Sequence, residues 1–475
     1  MTDQDELLSS FENHQRLFAS HPYLPVATRL KHLRLLKKML QHHALGLAET
    51  INTDYMHRAR EETLLLEIFP TINAINYCLK NLKKWVKPRK RKIDWYFGTG
   101  KAHIIAQPIG VIGIIAPWNY PIFLSMVPLA YGLAAGNQVM IKMSEFTPNV
   151  GQKLQELIEL IPGLNEYVSI HNGDIAYAEK FTSLPFAHLL FTGSTSIGKK
   201  VMATASKNLT PVTLELGGKS PTIISSSANA RFLNRIFMGK LFNAGQTCLA
   251  PDFLLIARKW ENDIERLATQ FMQKHYPDMT DSKQYSNIIS NKHSERLLSL
   301  LEDARAKGGN IVQLGDLKES RRALPLYLIF NANSTMQLMK EEIFGPLLPI
   351  IVYDTFKEAV DFISSLPNPL AIYYFGNDNL EVNQLQYETL SGALAINDTV
   401  TQAAIDDLPF GGVGQSGIGR YHGQEGFDTF SNLKPIFKQG RLSAITFFYP
   451  PYGKLLYYFL KLWAGIRFSK NSLDK

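Results

Sequence analysis

The chain has 475 residues, 45% of them hydrophobic, and 50 Lys and Arg against 42 Asp and Glu, a net charge of +8. That length exceeds what one core supports and implies two or three domains of roughly 100–200 residues, and the ordinary composition excludes disordered and fibrous classes. Two cysteines, Cys78 and Cys248, exclude a disulfide framework and a cysteine-rich zinc site, so no metal is expected and a reducing compartment fits.

The opening residues MTDQDELLSS lack a basic-then-apolar leader, and no run reaches the roughly 20 apolar residues of a spanning helix. The expectation is a cytoplasmic protein without membrane contact. Leu30, Leu33, Leu36 and Leu40 recur at helical spacing, which predicts an amphipathic helix over 28–52, and 61–85 also reads as helical. KKWVKPRKRK (83–92) gathers seven positive charges around one tryptophan. Its shortness and Pro88 favour a solvated face over nucleic-acid or lipid binding, and no nucleic-acid partner is expected. WYFGTGKAHIIAQ (95–107) predicts a β-hairpin turning at Gly98, Thr99 and Gly100.

Short apolar runs then alternate with longer helical patterns: GVIGIIAP before 122–135, QVMIK before 150–161, HLLF before 196–206, followed by PTIIS, FLLIA and LLPIIVY. This rhythm predicts an α/β fold with largely parallel sheets, their strands covered on both faces. PFGGVGQSGIG (409–419) carries five glycines and reads as a mobile or closely approached loop. The aromatic tail 447–463, interrupted by Lys454 and Lys461, is expected to pack on a subunit partner or to cover a pocket.

Five stretches offer chemistry. In FTGSTSIGKK, a strand runs into Gly193 and Ser194 before a helix, either a tight turn or a phosphate site at a helix N-terminus. Lys142 and Glu145 follow the strand QVMIK at the edge where open α/β sheets bind ligands, so they suit ribose hydroxyls. In IAPWNYP, Asn119 sits between Trp118 and Tyr120 and is flanked by two prolines; a fixed amide there is either an oxyanion donor or part of a structural turn. Glu215, in an apolar stretch before Gly217 and Gly218, would carry a raised pKa and suit a general base. Cys248, in FNAGQTCLAPDF, is a buried small hydrophobe or a nucleophile.

Together these stretches resemble the aldehyde dehydrogenase superfamily. The resemblance runs from about residue 55 to about 430, on PWNYP, FTGST, LELGGKSP, FNAGQTCLAP, EEIFGPLLPI and PFGGVGQSGIGRYHG in the family's order. The GRYHGQEGFDTFS ending and the aromatic tail look like the class 3 branch. HRAREETLLLEIFP (57–70) and LTPVTLELGGKSP (209–221) are most similar to bacterial coniferyl aldehyde dehydrogenases.

The resemblance implies Cys248 as nucleophile, Asn119 as oxyanion amide and Glu215 as general base. It implies cofactor contacts from Lys142, Glu145, Gly193, Ser194, Trp118, Glu342 and Phe344, although Met143 stands where many relatives have Pro. The fold it implies is a Rossmann-like cofactor domain (1–212, with a bridging hairpin at about 92–108), an α/β catalytic domain (213–400), and a return through 401–475 that carries a bridging strand and the tail. A homodimer is expected through the hairpin.

The implied reaction is NAD(P)-dependent oxidation of an aldehyde to a carboxylic acid through a thiohemiacetal and a thioester. NAD is favoured because Glu145 would repel a 2′-phosphate, with NADP the alternative. A coniferyl-type aromatic aldehyde is expected, with medium- or long-chain aliphatic aldehydes as the alternative. Thiol-dependent acyl transfer or thioester hydrolysis without hydride transfer would leave Lys142 and Glu145 unexplained. Backbone N–H dipoles are expected to lower the Cys248 pKa.

Overall fold

The structure, a computed structural model, describes residues 3–279, 283–316 and 322–467. Continuous apolar runs became fully buried strands, as at Val111–Ile115 and Gln138–Lys142. Between them lies Pro121–Ala135, a helix begun by a proline at its first position and ended by Gly136 in the left-handed conformation (φ 93°). All but one of its residues are buried, as expected for a helix apolar on every side.

A six-stranded sheet runs in the order Gly417–Ile418, Val212–Leu216, His188–Gly193, Val111–Ile115, Gln138–Lys142, Val168–His171. Five strands are parallel and the first is antiparallel. The chain order reverses between Val111–Ile115 and His188–Gly193, which makes the switch point of a doubly wound sheet. A seven-stranded sheet runs Asn310–Leu314, Leu326–Phe330, Leu347–Tyr353, Phe253–Ala257, Pro221–Ile224, Ala371–Phe375, Ala393–Ile396, antiparallel only between its first two strands. Each sheet has its own apolar core. The parallel α/β reading of the sequence is thus realised.

The chain divides into two units: Met1–Leu82 with Pro108–Ser431, and Lys83–Gln107 with Asn432–Lys475. The second holds most of a three-stranded sheet ordered Arg89–Arg91, Lys101–Pro108, Ser431–Lys438. The hairpin therefore exists, but its first strand is the end of the basic run rather than WYF. Trp95–Phe97 forms a 3-10 turn instead, because the Phe97 amide bonds the Asp94 carbonyl and the Tyr96 hydroxyl reaches the Asp94 carboxylate (2.7 Å). In the same unit, the tail helix Lys454–Ala464 packs Phe459 and Trp463 against Trp95, with ring centroids at 5.8 and 5.1 Å. Among the described residues, no helix is long and apolar enough to cross a membrane.

The glycine-rich segment 409–419 is closely approached. A Cβ on Gly412 would strike the Ser416 carbonyl, and Gly417 pairs with Glu215.

Candidate active site

Cys248 lies between the helix Ala230–Leu241 and the strand Phe253–Ala257. The chain enters its turn through three successive left-handed residues, Asn243 (φ 51°), Ala244 (φ 53°) and Gly245 (φ 76°). Two of these carry a Cβ, so the turn holds strain that its surroundings must offset. The Gln246 side chain does part of that by donating to the Asn243 and Asn287 carbonyls (2.9 and 3.0 Å) and accepting from the Ile289 amide (2.9 Å). Thr247 meets the Tyr120 hydroxyl at 2.7 Å.

Asn119 follows the strand Val111–Ile115 and is buried. Its Nδ2 donates to the Gln246 carbonyl at 3.2 Å. An amide nitrogen carries two hydrogens, so one is anchored to the thiol's own turn and the second is left for another acceptor. The Asn119 carbonyl accepts three hydrogen bonds: from Arg58 Nη1 (2.9 Å), Asn243 Nδ2 (3.0 Å) and the Tyr55 hydroxyl (3.2 Å).

The carboxyl groups are held differently. Glu215 is buried, and neither of its carboxyl oxygens has a hydrogen-bond partner. Burial raises its pKa well above the ordinary range, against the pull of Arg420. This agrees with the sequence expectation. Glu342 is pushed up to about 8 by burial and then by Asp252, and one of its oxygens is also unpartnered. A Cβ on Gly217 would collide with the Glu342 carboxylate, so this glycine permits the close approach.

The Cys248 thiol departs from expectation. The N–H groups of Cys248 and Leu249 do favour the thiolate, but burial, followed by the charges of Glu342 and Glu215, pushes the pKa up to about 12. Losing water costs a thiolate more than two backbone dipoles return.

The cofactor candidates divide into three places. Ser194 caps the helix Thr195–Ala205 without a side-chain hydrogen bond to its amides, leaving that N-terminus open. Thr195, Gly217, Gly218 and Glu342 help to line a cleft of about 580 Å³. Lys142, two strands across the sheet from His188–Gly193, is buried and donates to the carbonyls of Met143 (2.6 Å) and Gly173 (2.8 Å), while Glu145 is exposed. Trp118 stacks edge-on with Phe344 at 5.4 Å and with His293 at 5.3 Å. Phe344 itself is held at φ 52°. An open helix N-terminus and a lysine with one of its three hydrogens still free, both at strand ends of the six-stranded sheet, fit a dinucleotide.

Sequence reading missed the supports. Tyr55, Arg58, Glu67 and Asn243 stand behind Asn119. The buried ion pair of Lys219 and Asp252 ties the segment around Glu342 to the sheet, Lys219 reaching the Leu338 and Glu341 carbonyls and Asp252 accepting from the Ile343 amide (2.9 Å). The available signal was a charge inside an apolar run, as at Glu67 in LLLEIFP.

The doubly wound sheet with its open helix N-terminus, and a thiol turn tied to a buried amide and coupled by charge to two buried carboxyls, have the parts of a cofactor-dependent enzyme. The chain belongs to the aldehyde dehydrogenase family, whose model matches residues 2–436. It is 44% identical over 452 residues to a probable coniferyl aldehyde dehydrogenase of Pseudomonas aeruginosa, covering 95% of this chain and 94% of that one. The substrate-bound AldH of Staphylococcus aureus superposes with a TM-score of 0.90 at 36% identity, covering 97% of this chain and 100% of that one. A betaine aldehyde dehydrogenase of the same organism in complex with NAD+ superposes with a TM-score of 0.82 at 25% identity, over 92% and 88% of the two chains. The protein is accordingly an enzyme that oxidises aldehydes with NAD(P).

Proposed function

We propose that this enzyme oxidises a coniferyl-type aromatic aldehyde to its carboxylic acid, with Cys248 as nucleophile, Asn119 as oxyanion donor and Glu215 as general base. The observation that carries the reading is the bond from Asn119 Nδ2 to the Gln246 carbonyl, two residues before the thiol. It ties the amide to the thiol's own turn and leaves the second amide hydrogen for a substrate oxygen.

Attack of the Cys248 thiolate, its proton released to solvent, on the aldehyde carbon makes a thiohemiacetal whose negatively charged oxygen accepts hydrogen bonds from the Asn119 amide and from an N–H of the thiol's turn. Bound NAD(P) supplies the acceptor for the hydride that leaves the former aldehyde carbon. The resulting Cys248 thioester is hydrolysed by water that gives its proton to the Glu215 carboxylate. Lys142 and Glu145 hold the adenosine ribose, Gly193 and Ser194 the pyrophosphate, and Trp118, Glu342 and Phe344 the nicotinamide half. The exposed Glu145 carboxylate disfavours a 2′-phosphate, so NAD is preferred over NADP.

The six-stranded sheet supplies the cofactor domain and the seven-stranded sheet the catalytic domain. The enzyme works as a homodimer, formed through the edge strand Ser431–Lys438 with its exposed Leu433 and Phe437. It works in the cytoplasm, where its two free cysteines stay reduced.

Aromatic support for the substrate comes from the 44% identity to the Pseudomonas protein. The test is NADH formation across cinnamyl-type, benzyl-type and medium- to long-chain aldehydes. The highest kcat/KM is expected for a cinnamyl-type aldehyde, and an aliphatic preference overturns the substrate class. Sedimentation velocity checks the dimer.

A further inference from the structure

HRAREETLLLEIFP contains two charges the reaction does not use, Arg58 and Glu67, and both side chains are fully buried. They pair with each other at 3.0 Å. A buried pair is a poor stabiliser, since desolvating two charges offsets their attraction and an apolar pair of similar size commonly does as well. A placement this costly calls for another role, and the hydrogen bonds supply one.

Arg58 Nη1 also donates to the Asn119 carbonyl at 2.9 Å. Its guanidinium lies over the Tyr55 and Tyr120 rings at 5.3 and 5.0 Å, so it is fixed on both flanks. Glu67 Oε2 accepts from the amides of Ile122 (2.8 Å) and Phe123 (3.2 Å), the first turn of the helix Pro121–Ala135. That helix has no side-chain cap from Tyr120, the residue at its own N-cap, so the distant carboxylate does the capping. Glu67 reaches it from a single π turn, Leu64–Ile68, inserted in an otherwise α-helical stretch; such insertions redirect side chains and gather at functional sites. One ion pair thus grips the chain on both sides of Tyr120, at residue 119 and at residues 122–123.

We infer that Arg58 and Glu67 are positioning residues for the oxyanion amide: the pair fixes the Asn119 backbone so that Nδ2 meets both the Gln246 carbonyl and the thiohemiacetal oxygen. The inference rests on the proposed role of Asn119. Neither residue touches the substrate; each acts through Asn119.

The test is a double-mutant cycle on the full-length enzyme with Arg58→Met/Glu67→Met, Asn119→Ala and the triple variant. The paired methionines remove both charges without stranding one. Asn119→Ala is expected to lower kcat by about 10²–10³, the usual cost of a lost oxyanion donor. The paired variant is expected to lower kcat by roughly tenfold or more with the NAD KM within about twofold, and the triple variant to be no slower than Asn119→Ala, because groups acting through one atom are not additive. A paired variant with wild-type kcat, or a triple variant slower by the product of the two effects, overturns the inference. If Asn119→Ala itself keeps full kcat, the oxyanion reading fails instead. Should the paired variant not fold, Glu67→Gln keeps an oxygen for the two amides while removing the ion pair, and the same cycle applies to it.

Discussion

The two sides of the thiol are built on opposite plans. On one side the Asn119 carbonyl accepts three hydrogen bonds and its side-chain amide donates a fourth, so the proposed oxyanion arm has little freedom. On the other, Glu215 has no hydrogen-bond partner for either oxygen, and Glu342 lacks one for Oε1. Buried polar groups ordinarily find partners, and unsatisfied ones concentrate where chemistry needs them. The arm that only has to be in place is over-determined. The proposed base, Glu215, and its neighbour in charge, Glu342, are left with unsatisfied oxygens that can respond to water and substrate.

Substitutions on the reactive side have the larger expected effects. Cys248→Ala removes the proposed nucleophile and should lower NADH formation by about 10⁴-fold or more, with an unchanged circular dichroism spectrum. Glu215→Gln should lower turnover by roughly 10²–10⁴-fold, with acyl-enzyme accumulating in the mass spectrum because hydrolysis is the step that fails. The same variant separates chemistry from stability. The Glu215 pKa is raised on folding, so the wild type has the full benefit of the protonated carboxyl below the unfolded value and loses it as pH rises towards the folded value. Glu215→Gln should therefore melt at a higher temperature than wild type at pH 8, with the gain vanishing near pH 4.

A smaller effect probes the thiol itself. With the Cys248 pKa raised to about 12, inactivation of the free enzyme by iodoacetamide should still climb through pH 9, about tenfold per unit, because only the thiolate reacts. A plateau reached below pH 8 would show that the backbone N–H groups win. On the over-determined side, Asn243→Ala removes one of three donors to Asn119 and should cost only about 1–2 kcal/mol in thermal unfolding and a few-fold in kcat. A loss as large as that of Asn119→Ala would erase the contrast between the two sides.

Much of the reactive side was legible in the sequence because its residues sit where strands end, and strand ends can be read from apolar runs. Lys142 closes Gln138–Lys142, Gly193 closes His188–Gly193, and Glu215 lies one residue inside the end of Val212–Leu216. On the other side Asn119 was legible, but its supports were not. Arg58, Asn119 and Asn243 meet across 61 and 124 residues of chain, and no local pattern encodes such a meeting. The direction of the thiol pKa was misjudged for a related reason. Backbone N–H dipoles are local and can be expected from the turn, whereas the burial and the charges of Glu342 and Glu215 that outweigh them come from residues distant in sequence. The hairpin error was local: WYF has strand-like composition, but Asp94 collects the turn's hydrogen bonds and a 3-10 turn results.

The Asn119 carbonyl also orders events in time. Its donors come from residues 55, 58 and 243, so the carbonyl is fully bound only after two stretches of chain, 61–64 and 124 residues long, have closed on it. Contacts this distant in sequence form late, after local helices and strand pairs. During refolding, recovery of turnover should therefore lag behind recovery of the helical signal, which makes catalysis a reporter for the last long-range closure.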